Sequence, residues 1–332
     1  MSFTIFVTAP RLAAAGQQLL EGAGCRVLYL PAGSAAGEVD RILASEPVDA
    51  VISRTVDLPA AAIRDCPTLK VISKHGVGVG NIAVEAASAR GIPVYVTPGA
   101  NAQSVAELTL GLMLAAARRI PALDRELHAG RWTRAQDGLQ LAGRRLGLVG
   151  FGQVGQRVAQ VALALGMEVS AFDPVLRGAS PVPGVALLPT LDALLPLADV
   201  LSLHIPLNAR TRKLVGAREL ALLPAGAVLV NTARGECVDE DALVAALRSG
   251  HLFAAGLDTM AQEPLPADSP LAQLPNVVLT PHVGGSTAAA LGAMAEGAAR
   301  NVLGWLRGEA PAVSSCVNPQ VLSTTTTLAT SA

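Results

Sequence analysis

Aromatic side chains are scarce in this chain: two Trp, two Tyr and five Phe among 332 residues. Its cores must therefore be assembled from Ala, Val and Leu. Charge is sparse as well, at 15% of residues, and the formal net charge is −1. That balance excludes nucleic-acid or membrane-surface binding driven by bulk charge. The four cysteines, Cys25, Cys66, Cys237 and Cys316, form no C-x-x-C pair. They read as thiols of a reducing compartment rather than a disulfide frame, and no metal site is expected. The most apolar helical stretch, around Val105–Ala117, is too short for a bilayer and carries Glu107. Met1–Pro10 has no cationic start and no long apolar run, unlike a secretory leader. The expectation is a soluble, cytoplasmic protein.

What the chain has in quantity is hydrophobic residues, 51% of the total, and glycine, 32 of them. Its length suits two domains with sizeable cores. Short apolar segments near 3–8, 26–30, 50–53, 71–73 and 94–97 read as strands alternating with helices, which means a parallel sheet covered on both faces. Pro98-Gly99 marks a boundary. The stretch from Asn101 to Arg119 reads as one long helix with Asn101 as its cap. Its apolar positions run round most of its circumference, so packing between domains or against a second subunit is expected to bury it. A second strand series follows near 147–150, 168–172, 199–203, 227–231, 253–257 and 276–280. A helix from about Thr287 to Gly308 is expected to return to the first domain. The chain thus divides into 1–98, 99–286 and 287–320, with a disordered Thr/Ser/Ala-rich tail over 321–332.

The most specific signal is Gly147-Leu148-Val149-Gly150-Phe151-Gly152-Gln153-Val154-Gly155. A strand runs into G-x-G-x-x-G and then an amphipathic helix, followed by a second strand closed by Asp173. Gly150 allows the tight turn, Gly152 lets backbone approach a pyrophosphate, and Gly155 lets helix and strand pack closely. The helix N-terminus offers free N–H groups to phosphate. Asp173 stands where a carboxylate accepts from ribose hydroxyls, which favours NAD over NADP. Arg177 nearby keeps NADP open.

Three further segments follow strands: Asn231–Glu236, Asp258–Pro264 and Thr280–Ser286. In an open α/β sheet, the carboxyl ends of strands form the ligand edge. Arg234 there can clamp a carboxylate with two parallel hydrogen bonds. His282 can exchange a proton with a ketone or alcohol. Glu263 can hold one imidazole nitrogen and favour the imidazolium. Taken singly, each has a plain alternative: a surface arginine, a solvated loop glutamate, a structural Pro-His turn. His204 ends a strand and is placed at most beside the cofactor.

The loop Lys74-His75-Gly76-Val77-Gly78-Val79-Gly80-Asn81 exposes successive N–H groups suited to an anion, or is simply a flexible glycine turn. If functional, it holds a substrate carboxylate opposite His282, in a site that closes on binding. Arg54 and Lys74 are basic residues near strand ends. They suit a phosphate or second carboxylate, or are solvated charges.

These motifs together, with Asn101–Glu107, resemble the D-isomer-specific 2-hydroxyacid dehydrogenases over roughly residues 1–320. The resemblance implies two doubly wound α/β domains: a Rossmann NAD-binding domain and a flavodoxin-like substrate domain formed by both chain ends. It implies Arg234 as substrate-binding and catalytic, His282 as acid/base and Glu263 as its partner. It implies NAD contacts at Ser104, Gly150, Gly152, Gln153, Val154, Gly155, Asp173, Pro206, Thr232, Ala233, Arg234, Asp258, His282, Gly284 and Gly285. Substrate contacts fall to Arg54, Lys74, Val77, Gly78 and Arg234. A homodimer joined through the nucleotide-binding domain is also implied, with a small 2-hydroxy or 2-keto acid as substrate.

The chain departs from the family pattern at Gly80 and Ala83, where aspartates are common, and at Thr259-Met260, where a hydrophobic-aromatic pair is usual. Two other readings share the fold: a dinucleotide-sensing corepressor, which has no need of Arg234, Glu263 and His282 together, and an enzyme acting on formate or phosphite.

Overall fold

The computed structural model describes residues 2–134 and 137–322. They form two units. One comprises the described residues up to Asn101 together with those from Thr287 onward, and the other is Ala102–Ser286.

In the first unit the strands are β1 (Thr4–Val7), β2 (Arg26–Tyr29), β3 (Ala50–Ser53), β4 (Val71–Lys74) and β5 (Val94–Tyr95). Between them run α1 (Ala14–Gly22), α2 (Glu38–Ser45), α3 (Ala60–Arg64) and α4 (Val84–Ala89). All strand pairs are parallel, in the order β2-β1-β3-β4-β5. That is the flavodoxin-like order. β1, β3, β4 and β5 are buried along their whole length, which is why they read as continuous apolar runs. One face packs on Val39, Leu43, Ile63 and Ala87 of α2, α3 and α4. The other packs on Leu20 of α1 and on Ala295, Ala298, Ala299 and Val302.

Those last four residues lie on a helix numbered after the second unit's, α12 (Ala288–Leu306), capped by Thr287, whose side chain accepts from the Ala290 N–H. Small residues let α1 and α12 meet: a Cβ on Gly16 would stand 2.6 Å from the Ala295 carbonyl oxygen. Beyond α12, Val321 is buried and Leu322 packs on the same core. The expected tail therefore does not begin at 321, and its part over 323–332 lies outside the described residues.

The second unit opens with α5 (Ala102–Ala117) and α6 (Ile120–His128). Its strands are β6 (Arg145–Val149), β7 (Glu168–Phe172), β8 (Val185–Leu187), β9 (Val200–Leu203), β10 (Ala227–Asn231), β11 (Leu252–Leu257) and β12 (Val277–Leu279). The intervening helices are α7 (Gln153–Ala164), α8 (Leu191–Leu194), α9 (Ala217–Leu222), α10 (Glu240–Arg248) and α11 (Pro270–Gln273). The sheet is parallel throughout, in the order β12-β11-β10-β9-β6-β7-β8. Counted within the unit, this is the doubly wound order with one strand added, and it reverses between β6 and β9.

The expected helix from Asn101 to Arg119 is α5, which closes two residues early, at Ala117. Arg119 takes a left-handed φ of +52°, and Pro121 stands at the start of α6. The burial expected of α5 from another domain or subunit comes from its own unit, where it packs on α7, β10, β11 and β12. β8 escapes sequence reading because it has only three residues and follows a Pro/Gly-rich segment.

Candidate active site

Because every strand of the second sheet is parallel, all its carboxyl ends open on one edge. The loops after β6, β7, β9, β10, β11 and β12 carry Gly150, Asp173, His204, Arg234, Asp258 and His282 respectively.

The glycine loop has the geometry its spacing requires. Gly150 has φ +88°, and a Cβ there would stand 2.5 Å from the His204 carbonyl oxygen. A Cβ on Gly155 would stand 2.6 Å from the Gly150 carbonyl oxygen, so α7 lies directly on the turn. Gly152 differs: nothing lies within 4 Å of where its Cβ would be, and no side chain caps α7. A helix N-terminus left open beside a residue with no side chain fits a pyrophosphate. The Asp173 carboxylate accepts from Phe151 N–H and Val175 N–H at 2.9 Å each, which fixes it at the turn. Each of its oxygens has a second lone pair left for a ribose hydroxyl.

The other candidate cofactor residues fall around this edge. Gln153 is exposed and accepts from Arg157, and Val154 packs partly into the core. Pro206 is exposed, and its carbonyl accepts from the Thr211 hydroxyl at 2.6 Å. Ser104 on α5 is buried. Thr232 and Ala233 are buried after β10, with the Thr232 hydroxyl 2.8 Å from that of Thr109. Sequence reading does not single out Thr109; a hydroxyl in an otherwise apolar helix is the signal it offers. His204 is partly buried beside Ser202, 3.0 Å from its hydroxyl, and burial pushes its pKa down to about 4.

Arg234 follows β10 in a loop held by Asn231, a second residue that sequence reading does not single out. The Asn231 side chain accepts from Ala233 N–H at 3.0 Å and donates to the Arg234 carbonyl at 2.9 Å. An Asn at a strand end making such local bonds is the recognisable signal. Gly235 lies against the next loop so closely that a Cβ would be 1.9 Å from the Met260 carbonyl carbon. That next loop carries Glu263. One of its oxygens accepts from Met260 N–H at 3.1 Å, and the other lies 2.7 Å from His282 Nδ1. Glu263 and His282 are thus brought together directly. Arg234 stands in the neighbouring loop, with its guanidinium on the Ala233 carbonyl, and among the described residues it bonds to neither of them.

His282 has φ +54°. A left-handed backbone costs a non-glycine residue about 1–2 kcal/mol, and such strain concentrates at functional sites. The strain is held by the His282 N–H, which donates to the Asp258 carbonyl at 2.8 Å and the Thr280 carbonyl at 3.0 Å. Asp258 is 1% exposed. Its carboxylate accepts from the Thr280 hydroxyl at 2.6 Å, Val283 N–H at 2.9 Å and Gly284 N–H at 2.8 Å. Gly284 is buried, and Gly285 is partly buried beside it.

In the first unit, Lys74 is buried at the end of β4 and donates to the Arg54 carbonyl and to Asn81 Oδ1. Arg54 is half-buried, and its guanidinium pKa is lowered by burial and by the charge of Arg11. Gly76 has φ +126°, Val77 is 47% exposed and Gly78 is partly buried. His75 is buried, with Nε2 3.3 Å from the Leu291 carbonyl. Burial, then the charges of Arg54 and Lys74, hold its pKa down to about 4.

Among the described residues no helix is long and apolar enough to cross a membrane. All four cysteines are free thiols.

Comparison with known proteins identifies the family. A family profile described as "D-isomer specific 2-hydroxyacid dehydrogenase, NAD binding domain" matches residues 110–284. A hydroxypyruvate reductase of Thermotoga maritima is 44% identical over 249 residues, 73% of this chain and 80% of its own length. A D-3-phosphoglycerate dehydrogenase of Methanocaldococcus jannaschii is 44% identical over 249 residues, 74% of this chain but 47% of its own. The match thus spans about half the length of that relative. A crystal structure of a Thermus thermophilus protein superposes with a TM-score of 0.85 at 39% identity, covering 95% of this chain and 100% of that one. The chain belongs to the D-isomer-specific 2-hydroxyacid dehydrogenase family, with an NAD-binding domain.

Proposed function

We propose that this protein is an NAD-dependent oxidoreductase interconverting a D-2-hydroxy acid and its 2-keto acid. The acid is of the hydroxypyruvate, glyoxylate or 3-phosphoglycerate kind. The observation that carries the reading is the 2.7 Å contact between His282 Nδ1 and Glu263, made by a histidine held in a left-handed conformation at the nucleotide edge. A carboxylate on Nδ1 fixes the orientation of the ring. Nε2 is then the nitrogen that gives a proton to the ketone oxygen or takes one from the alcohol. Arg234 binds the substrate carboxylate through its planar fork. The bound nicotinamide supplies or accepts the hydride.

Ser104, Gly150, Gly152, Gln153, Val154, Gly155, Asp173, Pro206, Thr232, Ala233, Asp258, Gly284 and Gly285 hold the dinucleotide. Asp173 selects NAD because a fixed carboxylate repels a 2′-phosphate. Arg54, Lys74, Val77 and Gly78 are substrate-binding residues on the strength of the resemblance. The protein works as a cytoplasmic homodimer; exposed Ile120, Leu127 and Trp132, on and just after α6, support a subunit contact.

The test follows NADH oxidation with glyoxylate, hydroxypyruvate, pyruvate, phenylpyruvate and phosphohydroxypyruvate. At least one is consumed. His282→Asn is expected to lower kcat by roughly a hundredfold or more while NADH affinity holds. Arg234→Ala is expected to lower kcat/KM for the keto acid. NADH binding with no oxidation of any of the five acids identifies a sensor instead, and unchanged kinetics in both variants removes the proposed acid and clamp.

A further inference from the structure

The carboxylate of Asp258 ties together both flanks of the loop that carries His282. Ahead of His282, the Thr280 hydroxyl donates to Oδ1 at 2.6 Å. Behind it, Val283 N–H donates to the same oxygen at 2.9 Å, and Gly284 N–H to Oδ2 at 2.8 Å. The backbone adds a further tie, from His282 N–H to the Asp258 carbonyl. Thr280 also closes the sheet ladder, its N–H donating to the Leu257 carbonyl at 3.0 Å. The clamp therefore begins where β12 ends, and beyond that point the Asp258 carboxylate supplements the backbone bonds of the loop.

Pro281 has no N–H to contribute. Among the described residues, the Thr280 hydroxyl is thus the side-chain donor that anchors the entry to the left-handed turn at His282. Room around the clamp is small. Gly284 lies so close that a Cβ would be 3.1 Å from Asp258 Oδ2.

We infer that Thr280 is a positioning residue: through Asp258 it sets the backbone turn that presents the His282 imidazole to Glu263. This inference rests on the proton-transfer role given to His282 above. Thr280 touches neither substrate nor cofactor in it. Removing the hydroxyl leaves a buried carboxylate short of one donor, and the loop shifts to recover it. A small displacement of a proton donor is costly for rate and nearly neutral for cofactor affinity.

The experiment compares Thr280→Val, Thr280→Ser and His282→Asn, singly and as the Thr280→Val/His282→Asn double variant, in the full chain. Steady-state kinetics use NADH with the best keto acid of the panel, and NADH affinity is read by fluorescence titration. Thr280→Val is expected to lower kcat roughly ten- to a hundredfold, a loss that displacement of the imidazole accounts for. NADH affinity stays within about twofold, because the loss lies in the transition state. Thr280→Ser keeps the hydroxyl and restores most of kcat. In the His282→Asn background, Thr280→Val adds no further loss, because the two act through one group.

A Thr280→Val enzyme with wild-type kcat overturns the inference. So does equal impairment of the Ser and Val variants, which assigns the effect to the lost methyl. A full additional loss on top of His282→Asn does so too, and a defect confined to NADH affinity assigns Thr280 to the cofactor. Wild-type turnover in His282→Asn alone instead brings down the proposed function, whatever Thr280 does.

Discussion

Two histidines, His75 buried and His204 partly buried, make stability depend on acidity residue by residue. His75 and His204 are each held down to a pKa of about 4, first of all by burial. An unfolded chain protonates its histidines near pH 6.5. Below that value the unfolded state binds the proton that the folded state refuses. Stability is therefore intact above about pH 6.5 and falls as pH drops toward 4. For His75, only 8% exposed, the full loss is roughly 3 kcal/mol. Thermal melts at pH 7 and pH 4.5 are expected to differ less in His75→Gln than in the wild type; an equal drop in both rules the residue out. Asp173→Asn keeps one of the two oxygens that accept from backbone and loses the charge. The NADP/NAD ratio of kcat/KM is expected to rise by roughly tenfold, or about 1.4 kcal/mol, and an unchanged ratio counts against its ribose role. Gly235→Ala sets a methyl against the Met260 carbonyl. Loss of keto-acid turnover with NADH binding retained is the expected result.

Helices and strands were legible where one physical signal dominated. β3, β4 and β10 announce themselves as unbroken apolar runs because both of their faces are covered. The end of α5 was legible to within two residues: the helix read to Arg119 closes at Ala117, and Arg119 itself takes a left-handed φ that nothing in its identity announces. Arg234, Glu263 and His282 could be read as strand-end residues. The Thr280–Asp258–Gly284 clamp could not, because its bonds join two loops through one buried carboxylate and leave no periodic trace. At the same scale, α1 and α12 pack through a contact that tolerates no side chain at Gly16. Gly16→Val is expected to force the two helices apart and cost about 1–3 kcal/mol, seen as a lower denaturation midpoint. An unchanged midpoint shows that the pair can separate freely.

The molecule as a whole carries separate cores in its two units, and the residues proposed to hold the dinucleotide all lie in the second. NADH at about a hundred times its Kd is expected to stabilise the state that binds it by about 2.7 kcal/mol. Hydrogen exchange then slows first at 150–155, 173 and 280–284; protection confined to the first unit contradicts the placement. The division of the chain has a different consequence for synthesis. β1 to β5 leave the ribosome before the second unit, yet the face formed by Ile5, Val7 and Ile52 is covered by residues of α12, a helix made after that unit. The second unit has β6 to β12 before that helix appears, so of the two sheets the one made earlier is finished later. Until α12 arrives, that sheet presents bare Ile and Val to its surroundings. A nascent chain stalled at Ser286 is therefore expected to recruit chaperones or aggregate through its N-terminal end.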